Sequence, residues 1–223
     1  IRKSLVGSEM CIRDRVVGRD RYIEYVSWLA NVAASCEKIL QEIRNLQRSE
    51  IQEAGEGFDI KKQVGSSTMA HKKNPIKSEN ASGLARIVRS MIIPTYENAL
   101  LWHERDLANS SSERFTLSHG SALCEDVINK TRQVLTNMWV DADRCLENIK
   151  SQRGLVMAEK VMIELVEHGI PRDEAHEILR SASFEAVDKK IELIAVCSRT
   201  PEIAAAFSAE ELEAMFDPMN HIG

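Results

Sequence analysis

Glycine, proline and aromatic residues are scarce in this chain of 223 residues, which has 10 glycines, 5 prolines and 5% aromatic side chains. With abundant Ala, Glu, Leu and Lys, this composition favours helix. Long apolar runs are lacking as well, and none approaches the length needed to span a membrane. Residues 1–15 mix charged and apolar side chains, which is unlike a signal peptide. A cytoplasmic location is therefore the default expectation.

Cysteine pairs and metal-ligand spacings are also lacking. The five cysteines are scattered without a C-x-x-C pair, and the six histidines form no H-E-x-x-H motif. We therefore expect reduced thiols in a reducing compartment, no metal site and no cofactor. The net charge of −5 gives no support to nucleic-acid binding. Any anion site has to be built locally against this acidic background.

The chain does not begin with methionine, and its first residue is Ile1. This start predicts that the sequence is a fragment of a longer protein. The segment from Ser4 to Arg15 fits no helical stripe that continues into the following residues, and it resembles translated adapter sequence. Residues 1–15 are therefore interpreted as a suspect non-native leader and set aside from the fold.

A long amphipathic helix is predicted from Asp20 to Leu46, where apolar residues recur at three- and four-residue steps. The stripe consists of Tyr22, Val26, Leu29, Ala33, Cys36, Leu40, Ile43 and Leu46. Such helices usually belong to bundles. We expect this helix to end at Gly55–Gly57 and a second one to begin at Asn74 as N-cap and Pro75 as first residue. Pro94 should kink the second helix.

Shorter helices with clear start and stop signals follow. Ser110 to Glu113 and Ser208 to Glu211 match the capping-box pattern, while Gly169 and Pro171 mark a stop and a start. No segment alternates well enough to predict a strand. The predicted fold is therefore all-α, with a partial central helical bundle over residues 16–150 and a small helical C-terminal domain over residues 151–223.

The most informative stretch, Gly65 to Pro75, has the sequence GSSTMAHKKNP. Small residues, hydroxyls, lysines and a helix N-terminus would together favour an anion. From Lys61 to Arg89 there are seven Lys or Arg residues and one acid, Glu79. On charge alone, however, a flexible loop followed by a solvated basic helix face is the better interpretation.

The same stretch matches in full the signature G-S-x-x-M-x-x-K-x-N, and on this string the chain resembles the fumarase/aspartase superfamily. The specified positions are Gly65, Ser66, Met69, Lys72 and Asn74. The resemblance implies an enzyme that removes a proton β to a leaving group and releases fumarate. It also implies a bundle of long helices that assembles as a homotetramer, with active sites shared between subunits.

Site roles follow from the resemblance and from the chemistry it implies. Removing the proton builds negative charge next to a carboxylate, so the site needs a base and donors for an aci-carboxylate. The resemblance assigns Ser66 as the base, with Ser67 as the alternative. It implies that Lys72 and Asn74 bind the carboxylate that accepts the charge. Glu79 would orient a catalytic histidine, the alternative being a surface carboxylate.

Other loop positions and some departures from the family pattern complete this comparison. With Ser67, the residues Thr68 and Met69 are expected to contact the substrate. Ala70 replaces the usual proline, and Arg15 stands where the family usually has a substrate-binding glutamine. The family's general-acid histidine belongs to an N-terminal domain that this sequence does not include. The chain alone is therefore expected to be inactive.

A second motif, WHERDLANSSSER from Trp102 to Arg114, bears on the choice of substrate. Arginine forks and a helix N-terminus suit a phosphate, although a capped helix with surface ion pairs explains the chemistry equally well. The string resembles the adenylosuccinate lyase family. The resemblance implies that Arg105, Ser110 and Arg114 bind the phosphate of a nucleotide. We expect His103 to pack between helices.

The resemblance extends through the C-terminal part and implies cleavage of adenylosuccinate, and of the succinyl-carboxamide ribotide, with release of fumarate. One alternative is a sister enzyme such as a 3-carboxymuconate cycloisomerase or an argininosuccinate lyase-like protein. The other is a helical module that only oligomerises. The expected partners are a small nucleotide substrate and further copies of the chain, without nucleic acid or membrane.

Overall fold

The computed structural model of the chain describes residues 18–57, 73–102 and 106–221. Helix α1 runs from Asp20 to Leu46 over 27 residues, about 40 Å at 1.5 Å per residue. The prediction of one long helix is confirmed, because the apolar spacing places the stripe on one buried face. Its predicted end at the glycines is wrong. A turn in which Gln52 adopts a φ of 56° follows Leu46 instead.

Helix α2 spans Ile76–Ser90 and helix α3 spans Ile92–Glu97. Helix α2 begins one residue later than predicted, so that Pro75 takes the N-cap position and Asn74 precedes it. The break between the two helices is the predicted effect of Pro94. A proline ring clashes with the carbonyl group four residues earlier, and Ser90 is the residue at which α2 ends.

The next two helices are α4, Ala108–Thr116, and α5, Ser118–Asn137. The predicted capping box of Ser110 and Glu113 is wrong, because α4 begins two residues before Ser110. Asp106 caps this helix instead, since its Oδ1 accepts the Ala108 N–H at 2.8 Å. Glu113 accepts a hydrogen bond at 2.7 Å from Nε of Arg19, the N-cap residue of α1.

Helices α1, α2 and α5 pack against one another and form the bundle. Two buried clusters lie between them, one of Leu29, Ala33, Ala85, Val88, Cys124 and Val127, the other of Leu40, Ile43, Ala81 and Val134. Burial of each larger side chain contributes about 1.5–3 kcal/mol. A Cβ atom on Gly120 would lie 3.2 Å from Sδ of Met91, so this glycine lets α5 lie close to the Met91 side chain.

A two-residue antiparallel pair joins the end of the bundle. Strand β1, Ala54–Gly55, pairs with strand β2, Trp139–Val140, and Gly55 lies opposite Trp139. Strands of this length are too short to produce an alternating pattern, which is why none was predicted. They fasten the segment after α1 to the end of α5.

The chain divides into two compact units, one up to Asp141 and one from Ala142. The second unit contains α6, Ala142–Ser151, α7, Ala158–Glu167, α8, Arg172–Lys189, α9, Leu193–Cys197, α10, Pro201–Ala206, and α11, Ala209–Phe216, with 3-10 turns at Leu155–Met157 and Pro218–His221. The division lies before α6, several residues earlier than the predicted boundary after residue 150.

The second unit has its own core, and its helix ends follow the predicted signals. The core centres on Val161, Leu165, Leu179, Leu193 and Ile203, all at most 4% exposed. Gly169 has a φ of 93° after α7, Pro201 is the first residue of α10, and Ser208 forms the predicted capping box with Glu211. The fold class is all-α, a long-helix bundle followed by a small helical domain.

Candidate active site

The structure describes four of the ten predicted site residues. Asn74 and Glu79 lie at the beginning of α2, and Ser110 and Arg114 lie on α4. The other six, Ser66, Ser67, Thr68, Met69, Lys72 and Arg105, lie outside the described residues. The same holds for His103. Their roles remain predictions.

Asn74 and Glu79 face a common open pocket of about 1080 Å³ between the end of α1 and the beginning of α2. The Glu79 side chain is exposed, and its carboxylate has no hydrogen-bond or ion-pair partner among the described residues. This geometry fits a carboxylate that contacts a group from elsewhere.

Three basic residues, Arg44, Arg48 and Lys73, line the same pocket. The sequence prediction overlooked both arginines, because Arg44 lies on α1 and Arg48 lies just after it, far in sequence from the signature. A periodicity signal was available, since Gln41, Arg44 and Arg48 recur at helical spacing near the end of α1. The Arg44 guanidinium donates to Oε1 of Gln41 at 3.1 Å. The pocket therefore has three basic side chains and one acidic side chain, Glu79, in its lining.

The first turn of α2 does not offer free N–H groups to such a substrate, contrary to the prediction from its helix N-terminus. The N–H groups of Lys77 and Ser78 donate to the Glu56 carboxylate at 3.1 and 2.9 Å. The Ile76 N–H donates to the Asn74 carbonyl, and the Glu79 N–H donates to Pro75. All four donors of this helix end are thus engaged.

The second group of predicted residues lies on one face of α4. Ser110 and Arg114, four residues apart, line an open pocket of about 510 Å³ with Leu107, Ser111, Phe115 and His119. Arg114 lies in the last turn of α4, away from the helix N-terminus that the sequence analysis associated with a phosphate. A phosphate here would meet side-chain donors rather than the positive end of α4.

His119 was not among the predicted site residues, although it follows Arg114 by little more than one turn. Its ring stacks on that of Phe115 with a centroid distance of 5.2 Å. An imidazole next to an arginine and a serine adds a further donor to this pocket.

Two contacts fix the orientation of α4. Arg19 pairs with Glu113 at 2.7 Å, and both side chains are largely buried. Asn98 Nδ2 donates to Ser112 Oγ at 3.1 Å. At the start of α4, Asp106 accepts the N–H groups of Trp102 and Ala108, and these hydrogen bonds lower the pKa of its carboxyl below the ordinary value of 3.8. Ser110 and Arg114 are therefore presented from a helix that is held at its start and near its middle.

In the described parts of the chain, no cluster of three or more His, Cys, Asp or Glu side chains could hold a metal ion. No helix within these ranges combines the length and the apolar character that crossing a bilayer demands.

Comparison with known proteins agrees with this architecture. The family "Lyase" matches residues 5–90, so this match begins within residues 1–15, which were interpreted above as a non-native leader. The family "Adenylosuccinate lyase C-terminus" matches residues 154–223. The chain is 42% identical to an adenylosuccinate lyase of Archaeoglobus fulgidus and 43% identical to one of Methanothermobacter thermautotrophicus, in each case over 95% of its length. These matches cover 48% and 47% of the two relatives.

A solved structure gives the same fold. The 3-carboxy-cis,cis-muconate lactonizing enzyme from Pseudomonas putida superposes with a TM-score of 0.78 at 31% identity, covering 93% of this chain and 45% of that one. The chain thus spans about half the length of the relatives it matches. The signature, the helical bundle and these matches together identify residues 5–90 as part of the lyase family and residues 154–223 as an adenylosuccinate lyase C-terminus, in a chain that is similar to adenylosuccinate lyases over 95% of its length.

Proposed function

We propose that the chain contributes to an adenylosuccinate lyase, which cleaves adenylosuccinate to AMP and fumarate. The same site would release fumarate from the succinyl-carboxamide ribotide in purine nucleotide biosynthesis. The observation that carries the proposal is 42–43% identity to curated adenylosuccinate lyases over 95% of the chain. The complete signature between Gly65 and Asn74 supports it independently.

The proposed reaction is a β-elimination. Ser66, as alkoxide, takes the proton from the carbon next to a carboxylate, and the carbon–nitrogen bond breaks as the amine leaves. Lys72 and Asn74 bind the carboxylate while it carries the additional negative charge. Of these residues, Asn74 is described, and its place beside a pocket lined by Arg44 and Arg48 supports a dicarboxylate substrate. Glu79, exposed in the same pocket, would orient a histidine from elsewhere.

The choice of a nucleotide substrate depends on the second pocket. Ser110 and Arg114 present a hydroxyl and a guanidinium from the same face of α4, and His119 lies beside them. A phosphate monoester is the ligand best matched by such a group of donors. With Arg105, these side chains form the proposed phosphate site.

A substrate screen tests the reaction. The full gene product that contains this chain is incubated with adenylosuccinate, argininosuccinate and 3-carboxymuconate, and fumarate release or lactone formation is followed. We expect turnover of adenylosuccinate, and we expect Ser66→Ala to lower kcat by a hundredfold or more, roughly the loss of one transition-state group, while substrate still binds. If Ser66→Ala keeps normal kcat, Ser67 or another group is the base.

A muconate cycloisomerase is the second candidate, because the Pseudomonas putida lactonizing enzyme shares the fold at 31% identity. Activity on 3-carboxymuconate without activity on adenylosuccinate would establish that alternative. Loss of both activities in a folded protein would favour the third candidate, a helical module that only oligomerises.

We further propose that the active protein is a cytoplasmic homotetramer with active sites shared between subunits, and that the chain by itself does not turn over. The half-length coverage of the relatives supports the second point. An assay of the isolated chain beside the full gene product tests it, since fumarate release by the isolated chain would contradict it.

A further inference from the structure

Glu56 is a buried carboxylate that the proposed reaction does not use. It is 4% exposed and lies between Gly55 and Gly57 in the segment that follows α1. A charged side chain removed from water is costly unless hydrogen bonds and opposite charge compensate for it. Its surroundings therefore indicate what it does.

The compensation comes from the first turn of α2. Glu56 accepts the Lys77 N–H at 3.1 Å, the Ser78 N–H at 2.9 Å and the Ser78 hydroxyl at 2.9 Å. These groups also lie at the positive end of the helix dipole, where a carboxylate is stabilised. The Glu56 carboxylate thus occupies the positive end of α2, where an anionic ligand could otherwise bind.

The backbone that carries Glu56 is held in place on both sides. A Cβ atom on Gly55 would lie 2.7 Å from Cζ2 of Trp139, and one on Gly57 would lie 2.1 Å from the backbone oxygen of Asn137. Only glycine permits such close approaches to the end of α5. The Glu56 backbone is therefore fixed to α5, while its side chain holds α2.

Gln47, just after α1, completes this arrangement. Its Oε1 accepts the Glu56 N–H at 2.9 Å, and its Nε2 donates to the Lys73 carbonyl at 3.0 Å. One glutamine side chain therefore links Glu56 to Lys73, the residue two positions before Pro75. The residues that follow α1 and the end of α5 thus meet at the beginning of α2.

We propose that Glu56 is a positioning residue of the lyase site. It anchors the first turn of α2 and so sets the places of Asn74 and Glu79 relative to Arg44 and Arg48, which line the same pocket. This inference rests on the proposed function for its effect on turnover, whereas the anchoring itself is a property of the described fold.

The anchoring is tested by amide hydrogen exchange in the chain itself. Glu56→Gln keeps the side-chain length and one acceptor, but it directs an NH₂ group at backbone donors. We expect exchange at Lys77 and Ser78 to become faster by about tenfold or more, the equivalent of one lost hydrogen bond, and Glu56→Ala to show a larger effect. Unchanged exchange at both amides in Glu56→Gln would overturn the proposal.

The effect on catalysis is tested in the full gene product, with kcat expressed per folded molecule. We expect Glu56→Gln to lower kcat by roughly ten- to a hundredfold, more than it raises KM, because small displacements of catalytic groups cost about this much. The control is Thr131→Val, which removes a buried hydroxyl whose hydrogen bond, among the described residues, stays within α5, to the Val127 carbonyl. Equal losses of kcat in the two variants would show general destabilisation and contradict the proposal.

A double-mutant cycle of Glu56→Gln and Ser78→Ala tests the proposal even if Glu56→Ala does not fold. Ser78→Ala removes one hydrogen bond to Glu56 and should lower kcat less than Glu56→Gln does. If the two residues act through one contact, the fold-loss of kcat in the Glu56→Gln/Ser78→Ala double variant is smaller than the product of the fold-losses in the two single variants. Multiplicative losses would contradict the proposal. If the wild-type protein shows no lyase activity, the proposed function fails, while hydrogen exchange still decides the anchoring role.

Discussion

At the scale of single residues, Arg114 carries most of the proposed preference for a nucleotide substrate, because it is the described cation of the proposed phosphate site. Arg114→Ala should weaken adenylosuccinate binding by roughly ten- to a hundredfold, because a charge-assisted contact contributes about 1.5–3 kcal/mol. Arg114→Lys should restore part of the loss, since lysine keeps the charge but not the planar fork. The dissociation constant measured by calorimetry, with AMP as competitor, checks both.

The control for Arg114 is Arg132→Ala, an exposed arginine on α5 that does not line the α4 pocket. It should change only the salt dependence of binding. If Arg114→Ala binds the nucleotide as tightly as Arg132→Ala does, the phosphate assignment fails. The main chemical reason for preferring a nucleotide over an unphosphorylated substrate fails with it.

The cysteines allow a prediction that is independent of activity. Cys197 is fully buried in the second unit, and burial raises the pKa of its thiol to about 11. Burial likewise raises the pKa of Cys124, which is 1% exposed in the bundle. We expect a thiol reagent at pH 8 to leave both unmodified in the native chain and to modify both in urea, because thiolate is the reactive form. Rapid native labelling of Cys197, located by mass spectrometry, would contradict the described core.

At the scale of elements, the capping box of α11 gives the clearest test of a local signal. Ser208 Oγ accepts the Glu211 N–H at 3.2 Å, and the Glu211 carboxylate accepts the Ser208 N–H at 2.8 Å. Ser208→Ala should lower the free energy of unfolding of the second unit by about 1 kcal/mol. Ser181→Ala, inside α8, is the control and should be neutral or slightly stabilising, since alanine favours helix. Urea unfolding measures both.

The same capping box predicts a pH dependence. The hydrogen bonds from Ser208 lower the pKa of the Glu211 carboxyl below its ordinary value of 4.5. Its stabilising contribution is therefore complete above 4.5 and is lost as the pH falls through the lowered pKa. Glu211→Gln should be less stable than wild type at neutral pH, and the difference should shrink in acid. A difference that grows in acid would contradict this assignment.

These elements also show which structural features can be predicted from the sequence. Helix α1 could be, because a stripe of apolar residues at helical spacing needs no knowledge of its neighbours. The capping box at Ser208 could be predicted, because both of its partners lie within four residues of sequence. The contact of Glu113 could not be predicted, because its side chain pairs with Arg19, which is 94 residues away, instead of completing the local capping-box pattern. Tertiary contacts decided that case.

The same distinction applies to the candidate site. Asn74 and Glu79 could be proposed from the sequence, because Asn74 belongs to a short motif and the family resemblance places a glutamate five residues beyond it. Glu56 and Arg44 were overlooked because their relevance depends on how α1 packs against α2. A glutamate between two glycines signals a turn in sequence, whereas its role as the anion at a helix end appears only when distant segments are brought together.

At the scale of the whole molecule, the exposed apolar side chains of the first unit bear on assembly. Trp28 on α1 is 58% exposed, Ile93 on α3 is 70% exposed, and Tyr96 on α3 is 55% exposed. Exposed aromatic and aliphatic side chains on packed helices are typical of surfaces that bind a partner. The expected partner is a further copy of this chain, in accord with the proposed homotetramer.

If these side chains form a subunit interface, the chain should scatter light as an assembly of about four copies of 25.1 kDa. Trp28→Glu and Ile93→Glu should each shift it towards monomer, because a desolvated charge in an apolar interface is unfavourable. The matched control is Phe184→Glu in α8, where the aromatic ring is 64% exposed in the second unit. It should leave the assembly unchanged. A monodisperse monomer at micromolar concentration would contradict the proposed assembly, and dissociation by Phe184→Glu but not by Trp28→Glu would place the interface on the second unit instead.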